Sequence, residues 1–557
     1  MLVAARRFLA TVIAATLIVY GMASTDENAN QFWLLCLAGA GVALLFAWWP
    51  TGTRTLPIFN RTMLRWGTII IVAFFLVSVQ LVKVQVVDSA QTYNRVVLTD
   101  SGDVFQNARV NMETASQRRG SVLDREDRVL AESVIRDDQT FERVYPEPSA
   151  APLIGYYSPP LFGASQLEAS FNDYLSGSEG GNPVVEWFDS LLHRERGGYD
   201  LKLTLDLELQ QQAAELLGDR AGAVVLMDAT TGEVLAMVGY PTYDPGRLYA
   251  NAGQQTSEEL AAINAYWQEL LNDPASPLVF RPTQGLYTPG STFKTVTASA
   301  AISENVADPE QVYRDEGSLN VDGRIIIELN RPDESKVDWT LEEAYSYSLN
   351  VVFAQVGLQL GAESLWEYGT RFGFDEAVPF DILTEAGQIA SSEEALLSSR
   401  ALVADTAFGQ GEILTTPLEM ALVVSAIVND GVMMEPFLVQ EVLDDEGNAL
   451  ERFRPDQWRE VVPAEVADAV RSMMLASVDY GFASNARIDG VTVGGKTGTA
   501  ETGGDESHAW FTGFVEDGER ELVVSVIVEG GGSGGEVALP IGRDLLERAL
   551  EGTPDSE

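Results

Sequence analysis

Three uncharged apolar runs crowd the first 87 residues of this 557-residue chain. The first lies between Arg7 and Asp26, the second runs from Gln31 to Trp49, and the third runs from Trp66 to Val82, with Lys83 placed to snorkel at its end. Each approaches the roughly 20 residues that a helix needs to cross a bilayer. Trp33, Trp48, Trp49 and Trp66 sit at the run ends, as interfacial aromatics do. Arg6 and Arg7 precede the first run, Asp26 and Glu27 follow it, and Arg54, Arg61 and Arg65 separate the second from the third. By the positive-inside rule the N-terminus and the second loop are cytoplasmic, and everything after about Val87 lies outside. A cleavable signal peptide is the competing reading of the first run, with Gly21-Met22-Ala23 as its small-residue site. Cleavage would not change the exterior placement, because the last span still delivers the C-terminal part.

The 82 acidic residues outnumber the 36 basic ones, for a formal charge of −46. Such a chain repels a phosphate backbone, so nucleic acid is excluded as a partner. The acidity reads as a solvated surface, since net charge bears on solubility rather than fold. The single cysteine, Cys36, lies in an apolar run and reads as a small apolar residue. With only His193 and His508 as histidines, a histidine-built metal site is excluded; the expectation is no metal and no cofactor.

Residues 88–198 are mixed and polar with short strand-like pieces, and Gly177–Gly181 reads as a surface loop. From Tyr199 the pattern changes. Tyr199–Leu205 alternates, and Asp206–Leu217 has helical spacing. Ala223–Met227 and Glu233–Gly239 are apolar strands joined by the hairpin signal Asp228–Gly232. Leu522–Glu529 is a further strand, and Ile541–Leu550 a closing helix. Strands at both ends with helices between them predict an α+β domain on a largely antiparallel sheet.

Only five of the basic residues are lysine: Lys83, Lys202, Lys294, Lys336 and Lys496. Arginine keeps its proton in a protein, whereas a buried lysine can lose it. Two of the five occupy Ser291-Thr292-Phe293-Lys294 and Lys496-Thr497-Gly498. After the chain break at Tyr287–Gly290, Thr292–Ile302 can run as a helix that puts Ser291 and Lys294 on one face. A serine nucleophile activated by a lysine amine is therefore the leading idea. Ser348-Leu349-Asn350 is a weaker signal, which reads equally well as a polar patch on a helix from Leu341 to Val356. Gly490–Thr497 also satisfies the phosphate-loop pattern GxxxxGK[ST]. However, strand-like Val491-Thr492-Val493 fills the loop positions, and no helical pattern follows the lysine, so a nucleotide site is rejected.

SxxK, SxN and KTG, in that order in an extracytoplasmic α+β domain, resemble the serine–lysine acyl-transfer set of penicillin-binding proteins and serine β-lactamases. Arg119–Arg125 (RGSVLDR) resembles the RGxIxDR segment of class B penicillin-binding proteins. Gly155-Tyr156-Tyr157 and Leu167–Gly177 resemble further landmarks of their non-catalytic pedestal. Ala221–Tyr240, Tyr287–Lys294, Phe408–Ala421, Lys496–Glu501 and His508–Gly513 are similar to the transpeptidase domain, and the likeness covers about residues 107–550. It resembles the smaller, elongation-associated monofunctional branch, because no tail modules follow the catalytic domain. Two departures stand out. That branch has one anchor where this chain has three apolar runs, and Gln166 replaces the glycine expected before Leu167-Glu168.

The resemblance implies membrane helices over 1–87, a pedestal over 88–198 and a transpeptidase domain over 199–557. It implies a peptidoglycan D,D-transpeptidase that acts on D-Ala-D-Ala stem peptides and is acylated by β-lactams. Ser291 would be the nucleophile and Lys294 its base, with Lys496 helping to depress the amine's pKa. Ser348 would relay the proton and Asn350 would fix the substrate amide. Thr497 and Thr499 would hold the substrate carboxylate, Gly498 would allow close approach, and the backbone N–H groups of Ser291 and Thr499 would form the oxyanion hole. His508 is not expected to be the base. A membrane glycosyltransferase of the RodA/FtsW type is the implied partner. The alternative is a D,D-carboxypeptidase or β-lactamase-type hydrolase with the same motifs.

Overall fold

The protein is described by a computed structural model over residues 2–22, 29–83, 97–98, 104–105, 118–136, 141–158, 161–178, 197–250, 256–501, 506–518 and 520–551. These fall into two units, Met1–Glu113 and Thr114–Glu557. Ala23, Asp26 and Glu27, most of the expected Gly177–Gly181 loop, and His193 lie outside the described residues.

In the first unit the apolar runs form α1 (Leu2–Met22), α2 (Ala29–Trp48) and α3 (Ile58–Val82). Val3–Met22 and Ile58–Val82 are long and apolar enough to cross a membrane, and Phe32–Trp48 is a shorter apolar stretch. Phe8 and Phe74 are each 74% exposed, which suits a lipid-facing surface rather than water. Trp33 is buried near the start of α2, and its indole N–H donates to Gln80 Oε1 at 2.5 Å, tying α2 to α3. The Lys83 amine lies over the Trp33 ring, 5.7 Å from the centroid.

In the second unit the main elements in chain order begin with β1 (Val122–Leu123), β2 (Val129–Ile135), β3 (Phe141–Val144), β4 (Asp200–Leu203), α4 (Leu207–Leu217), β5 (Gly222–Asp228) and β6 (Val234–Tyr240). Next come α5 (Lys294–Ser303), β7 (Ser318–Val321), β8 (Arg324–Ile327), α6 (Leu341–Ser346), α7 (Asn350–Leu360) and α8 (Pro417–Val428). The chain closes with β9 (Val439–Leu443), β10 (Ala449–Arg452), β11 (Thr492–Ala500), β12 (His508–Asp517), β13 (Arg520–Val528) and α9 (Ala538–Glu551).

The five-stranded sheet is antiparallel, in the order β6-β5-β13-β12-β11. Both of its faces are covered, so its strands read as apolar runs rather than as alternating patterns. On β5, Val224 and Leu226 belong to the apolar cluster that includes α4 and α9, while Ala223, Val225 and Met227 belong to the cluster on the other face that includes α5, α7 and α8. β11 is the edge strand. This is the expected α+β architecture. A second sheet, in the order β10-β9-β4-β1-β2-β3, joins strands that lie far apart in sequence, with β1 and β4 parallel. It carries the chain continuously across the 198/199 position.

A buried ion cluster fixes this second sheet. Glu168 is fully buried and accepts from Arg119 Nε at 2.5 Å and Arg143 Nε at 2.6 Å. Burial pushes the Glu168 carboxyl up, but the two guanidiniums outweigh it and hold it below its ordinary range. Two residues earlier, Gln166 sits at φ 50°, the left-handed conformation that glycine adopts freely, and its buried Oε1 lacks a hydrogen bond. The departure from the family glycine thus falls where a side chain is strained.

The two sites make opposite predictions. Glu168→Ala strands two buried guanidiniums and lowers unfolding free energy by about 3–5 kcal/mol in denaturant titrations. Because the folded pKa is depressed, the stabilisation from Glu168 is present at neutral pH and lost as pH falls through the folded pKa. Gln166→Gly relieves the left-handed strain and raises stability by about 1 kcal/mol in the same titration.

Candidate active site

Three segments meet at the β11 edge. The first turns at Pro289-Gly290, passes through a single 3₁₀ turn, Gly290–Phe293, and becomes α5 at Lys294. Residues i and i+3 eclipse in a 3₁₀ turn, so Ser291 and Lys294 share a face. Ser291 is partly exposed, whereas Lys294 is wholly buried. The turn is braced from behind. Gly290 N–H donates to Gly409 O at 2.9 Å, and a Cβ on Gly409 would lie 1.7 Å from Gly290 O. That close approach, at φ 82°, explains the glycine in the Phe408–Ala421 segment.

The second segment corrects the expected continuous helix from Leu341 to Val356. α6 stops at Ser346 and α7 starts at Asn350. Leu349 N–H donates to Ala344 O at 2.8 Å and Ser348 N–H to Tyr345 O at 3.1 Å, the bond pair of a Schellman C-cap. The left-handed position of that motif normally holds glycine; here it is Ser348 at φ 58°. The break aims the Ser348 side chain at the lysines, which a continuous helix would not do.

The third segment is β11. Lys496 extends from it, fully buried, to Ser348 Oγ at 2.9 Å, and also donates to Thr497 O at 2.9 Å. A Cβ on Gly498 would lie 3.0 Å from Pro289 O and 3.1 Å from Thr292 Cγ2, so the strand lies directly against the Ser291 turn. Thr497 is buried, Thr499 is exposed, and the Thr499 hydroxyl accepts from Gly534 N–H at 3.4 Å. β11 runs unbroken through Lys496 to Ala500 with no helix opening at the lysine, which agrees with rejecting a phosphate loop.

Lys294 Nζ donates to Ser348 O at 2.7 Å, Asn350 Oδ1 at 2.8 Å and Ser348 Oγ at 3.1 Å. Ser291, Lys294, Ser348, Asn350 and Lys496 are thus brought to one place. One expected contact is not made: with its three partners in place, Lys294 Nζ has no hydrogen bond to Ser291 Oγ. Burial lowers the Lys294 amine to about 7, partly opposed by the charge of Glu328. Burial, then the neighbouring charge of Lys294, pushes Lys496 well below the lysine range. His508 is occupied elsewhere. Its Nδ1 accepts from Gly530 N–H at 3.1 Å, and its ring meets Tyr287 edge-on.

Sequence reasoning missed two residues behind the site, Glu328 and Asn330; Asn330 Nδ2 donates to Ser348 O at 3.0 Å. Their only local signal was a carboxylate set in the apolar stretch Ile325–Leu329. It also missed Glu529, which accepts from Arg281 Nε at 2.6 Å and Tyr287 Oη at 2.7 Å and so anchors the chain entering the Ser291 turn.

The penicillin binding protein transpeptidase domain family matches residues 222–547, which include all three segments. The chain belongs to this family. The penicillin binding protein A dimerisation domain matches residues 119–201, which include the Glu168 cluster. The chain is 32% identical to Peptidoglycan D,D-transpeptidase PbpA of Mycolicibacterium smegmatis over 466 residues, covering 80% of this chain and 91% of that protein. It is 28% identical to Peptidoglycan D,D-transpeptidase MrdA of Escherichia coli (strain K12) over 451 residues, covering 73% and 67%. The structure of penicillin-binding protein A from M. tuberculosis in its imipenem acyl-enzyme complex superposes with a TM-score of 0.72 at 29% identity, covering 79% of this chain and 99% of that one.

Having only five lysines makes the site directly observable by NMR of lysine labelled at the ε-carbon. One resonance is expected to titrate near pH 7 and to vanish in Lys294→Arg; a Lys294 signal that stays charged well above neutrality would contradict the site described here.

Proposed function

We propose that the protein is a membrane-anchored peptidoglycan D,D-transpeptidase that cross-links stem peptides through a Ser291 acyl-enzyme and binds penicillin covalently at the same serine. The observation that carries this reading is the pair of buried lysine amines on one serine hydroxyl beside a reachable Ser291. Family membership and relatives named as D,D-transpeptidases support it.

The serine hydroxyl needs a base. A neutral Lys294 spends its two N–H bonds on Ser348 O and Asn350 Oδ1, which leaves its lone pair directed at Ser348 Oγ. Substrate entry exchanges this third contact for Ser291 Oγ, while Lys496 retains Ser348 Oγ. Ser291 Oγ then attacks the carbonyl of the penultimate D-alanine and its proton passes to Lys294. Ser348 delivers a proton to the departing D-alanine amine and recovers one from Lys294; the acceptor amine of a second stem then releases the acyl group, passing its own proton to Lys294 as Ser291 Oγ takes one back. Asn350 fixes the substrate amide. Thr497 and Thr499, with Lys496, hold the terminal carboxylate along the β11 edge, and Gly498 lets the peptide backbone approach. The backbone N–H groups of Ser291 and Thr499 are assigned to the oxyanion hole.

In this reading residues 1–87 anchor the protein, 88–198 form the pedestal, and 199–557 form the transpeptidase domain on the extracytoplasmic face. The elongation-type branch and a RodA/FtsW-type glycosyltransferase partner belong to the same proposal.

Fluorescent penicillin labels the wild type, and Ser291→Ala abolishes the label. The labelling rate rises with pH through about 7 as Lys294 loses its proton. With a D-Ala-D-Ala peptide and an acceptor amine, the amine is incorporated; release by water alone would instead favour the carboxypeptidase alternative.

A further inference from the structure

The β7–β8 hairpin beside the site is inverted with respect to solvent. Ile325, Ile327 and Leu329 are 57%, 59% and 83% exposed, whereas Ile326 and Glu328 are 4% and 7% exposed. Sliding the strand by one residue would bury Ile325, Ile327 and Leu329 while exposing only Ile326, and would return a carboxylate to water. Hydrophobic burial therefore opposes the register that forms, and the hydrogen bonds of Glu328 account for it. Its Oε1 accepts Asn330 N–H at 3.0 Å, and its Oε2 accepts Val351 N–H at 2.9 Å in the first turn of α7. Asn330 Nδ2 in turn donates to Ser348 O, the carbonyl that also accepts Lys294 Nζ. One buried carboxylate thus grips the Ser348-Leu349-Asn350 break from both sides.

We propose that Glu328 is a positioning residue for acylation: it locks left-handed Ser348 and the start of α7 beneath Lys294, so that Ser348 O and Asn350 Oδ1 present their acceptors to the amine. This rests on the reading of Ser291 and Lys294 as nucleophile and base. The hairpin accepts an exposed apolar stripe because the buried acid is needed on its other face. Glu328 also acts on the amine through its charge. Burial lifts its own pKa, the Val351 N–H and Lys294 draw it down, and in its ionised form it raises Lys294 against the lowering effect of burial. The other groups facing this pair are Lys496, which bonds the same Ser348 hydroxyl, and the rings of Phe353 near Lys294 and Tyr345 near Lys496; Asp315 faces Glu328.

Glu328→Gln keeps the shape but offers one acceptor where two backbone N–H groups, buried Val351 and part-buried Asn330, each need one. The full-length protein in detergent is acylated with fluorescent penicillin across the pH range around neutrality. The plateau rate is expected to fall about 10-fold, as an unpaired buried amide implies. The acid limb of the profile is expected to move to lower pH, because the charge that raised Lys294 is gone. Asn330→Ala removes a bond to Ser348 O without changing charge, so its plateau falls while its acid limb stays in place. A wild-type rate and profile in Glu328→Gln overturns the proposal, and so does a lowered plateau with an unmoved acid limb, which is what a merely structural role produces. If Glu328→Gln does not fold, Asn330→Ala decides: a lowered plateau in a variant that unfolds at the wild-type temperature supports the proposal, whereas an unchanged plateau, or one lowered together with the unfolding temperature, overturns it. A wild type that is not labelled at Ser291 sinks the underlying reading and this proposal with it, whereas a labelled wild type with an indifferent Glu328→Gln sinks only this one.

Discussion

Two ammonium groups cannot both stay charged, buried and bonded to one hydroxyl. Lys294 and Lys496 are fully buried and lie within 3.1 Å of Ser348 Oγ. Taking either charge out of water is costly, and their mutual repulsion in a poorly screened interior adds several kcal/mol. The site relieves this by giving up a proton, and an amine without its proton is a base. The rest of the catalytic unit serves to keep this arrangement closed. The sheet covers it from one side, α5 and α7 enclose it, and the 3₁₀ turn holds Ser291 at its mouth.

That enclosure explains why the backbone takes awkward shapes here. Ser348 occupies a conformation that glycine would adopt at lower cost. Glycine would end α6 just as well, but it has no hydroxyl for the two amines to share. The same trade is visible in β8, where solvent exposure of isoleucine is accepted in order to bury Glu328. Local rules of folding are broken at two places where the proposed chemistry needs a particular side chain.

The elements that were legible in the sequence are those whose pattern is local. The β5–β6 hairpin, the last strand and α9 follow from apolar runs and a turn signal, and fall within a few residues of expectation. Two of the three motifs stood out because lysine is rare in this chain; Ser348-Leu349-Asn350 has no lysine and gained weight only from its order between them. What stayed hidden depends on distant partners. Nothing near Ser348 signals that a Schellman bond pair will end α6 early. The six-stranded sheet joins Val122–Val144 to Asp200–Leu203 and Val439–Arg452, pairings that no window of sequence can display. The bond from Trp33 to Gln80, 47 residues away, is another such long-range pairing.

The choice between arginine and lysine carries the same logic across the second unit. Arg143 and Lys294 are buried to nearly the same degree, and burial disfavours the charge on each. Beside Arg143, Glu168 and Tyr145 outweigh burial and the pKa moves upward. At Lys294 the lone opposing carboxylate, Glu328, does not, and the pKa falls to about 7. Where a cation must persist to hold two sheet strands, the chain uses the side chain that cannot be deprotonated. Where the proposed mechanism needs a proton to move, it uses the one that can. A conservative exchange at either place would therefore fail for opposite reasons: arginine at 294 keeps its charge and cannot accept a proton, while lysine at 143 loses the planar fork that donates to both Glu168 and Gly120 O.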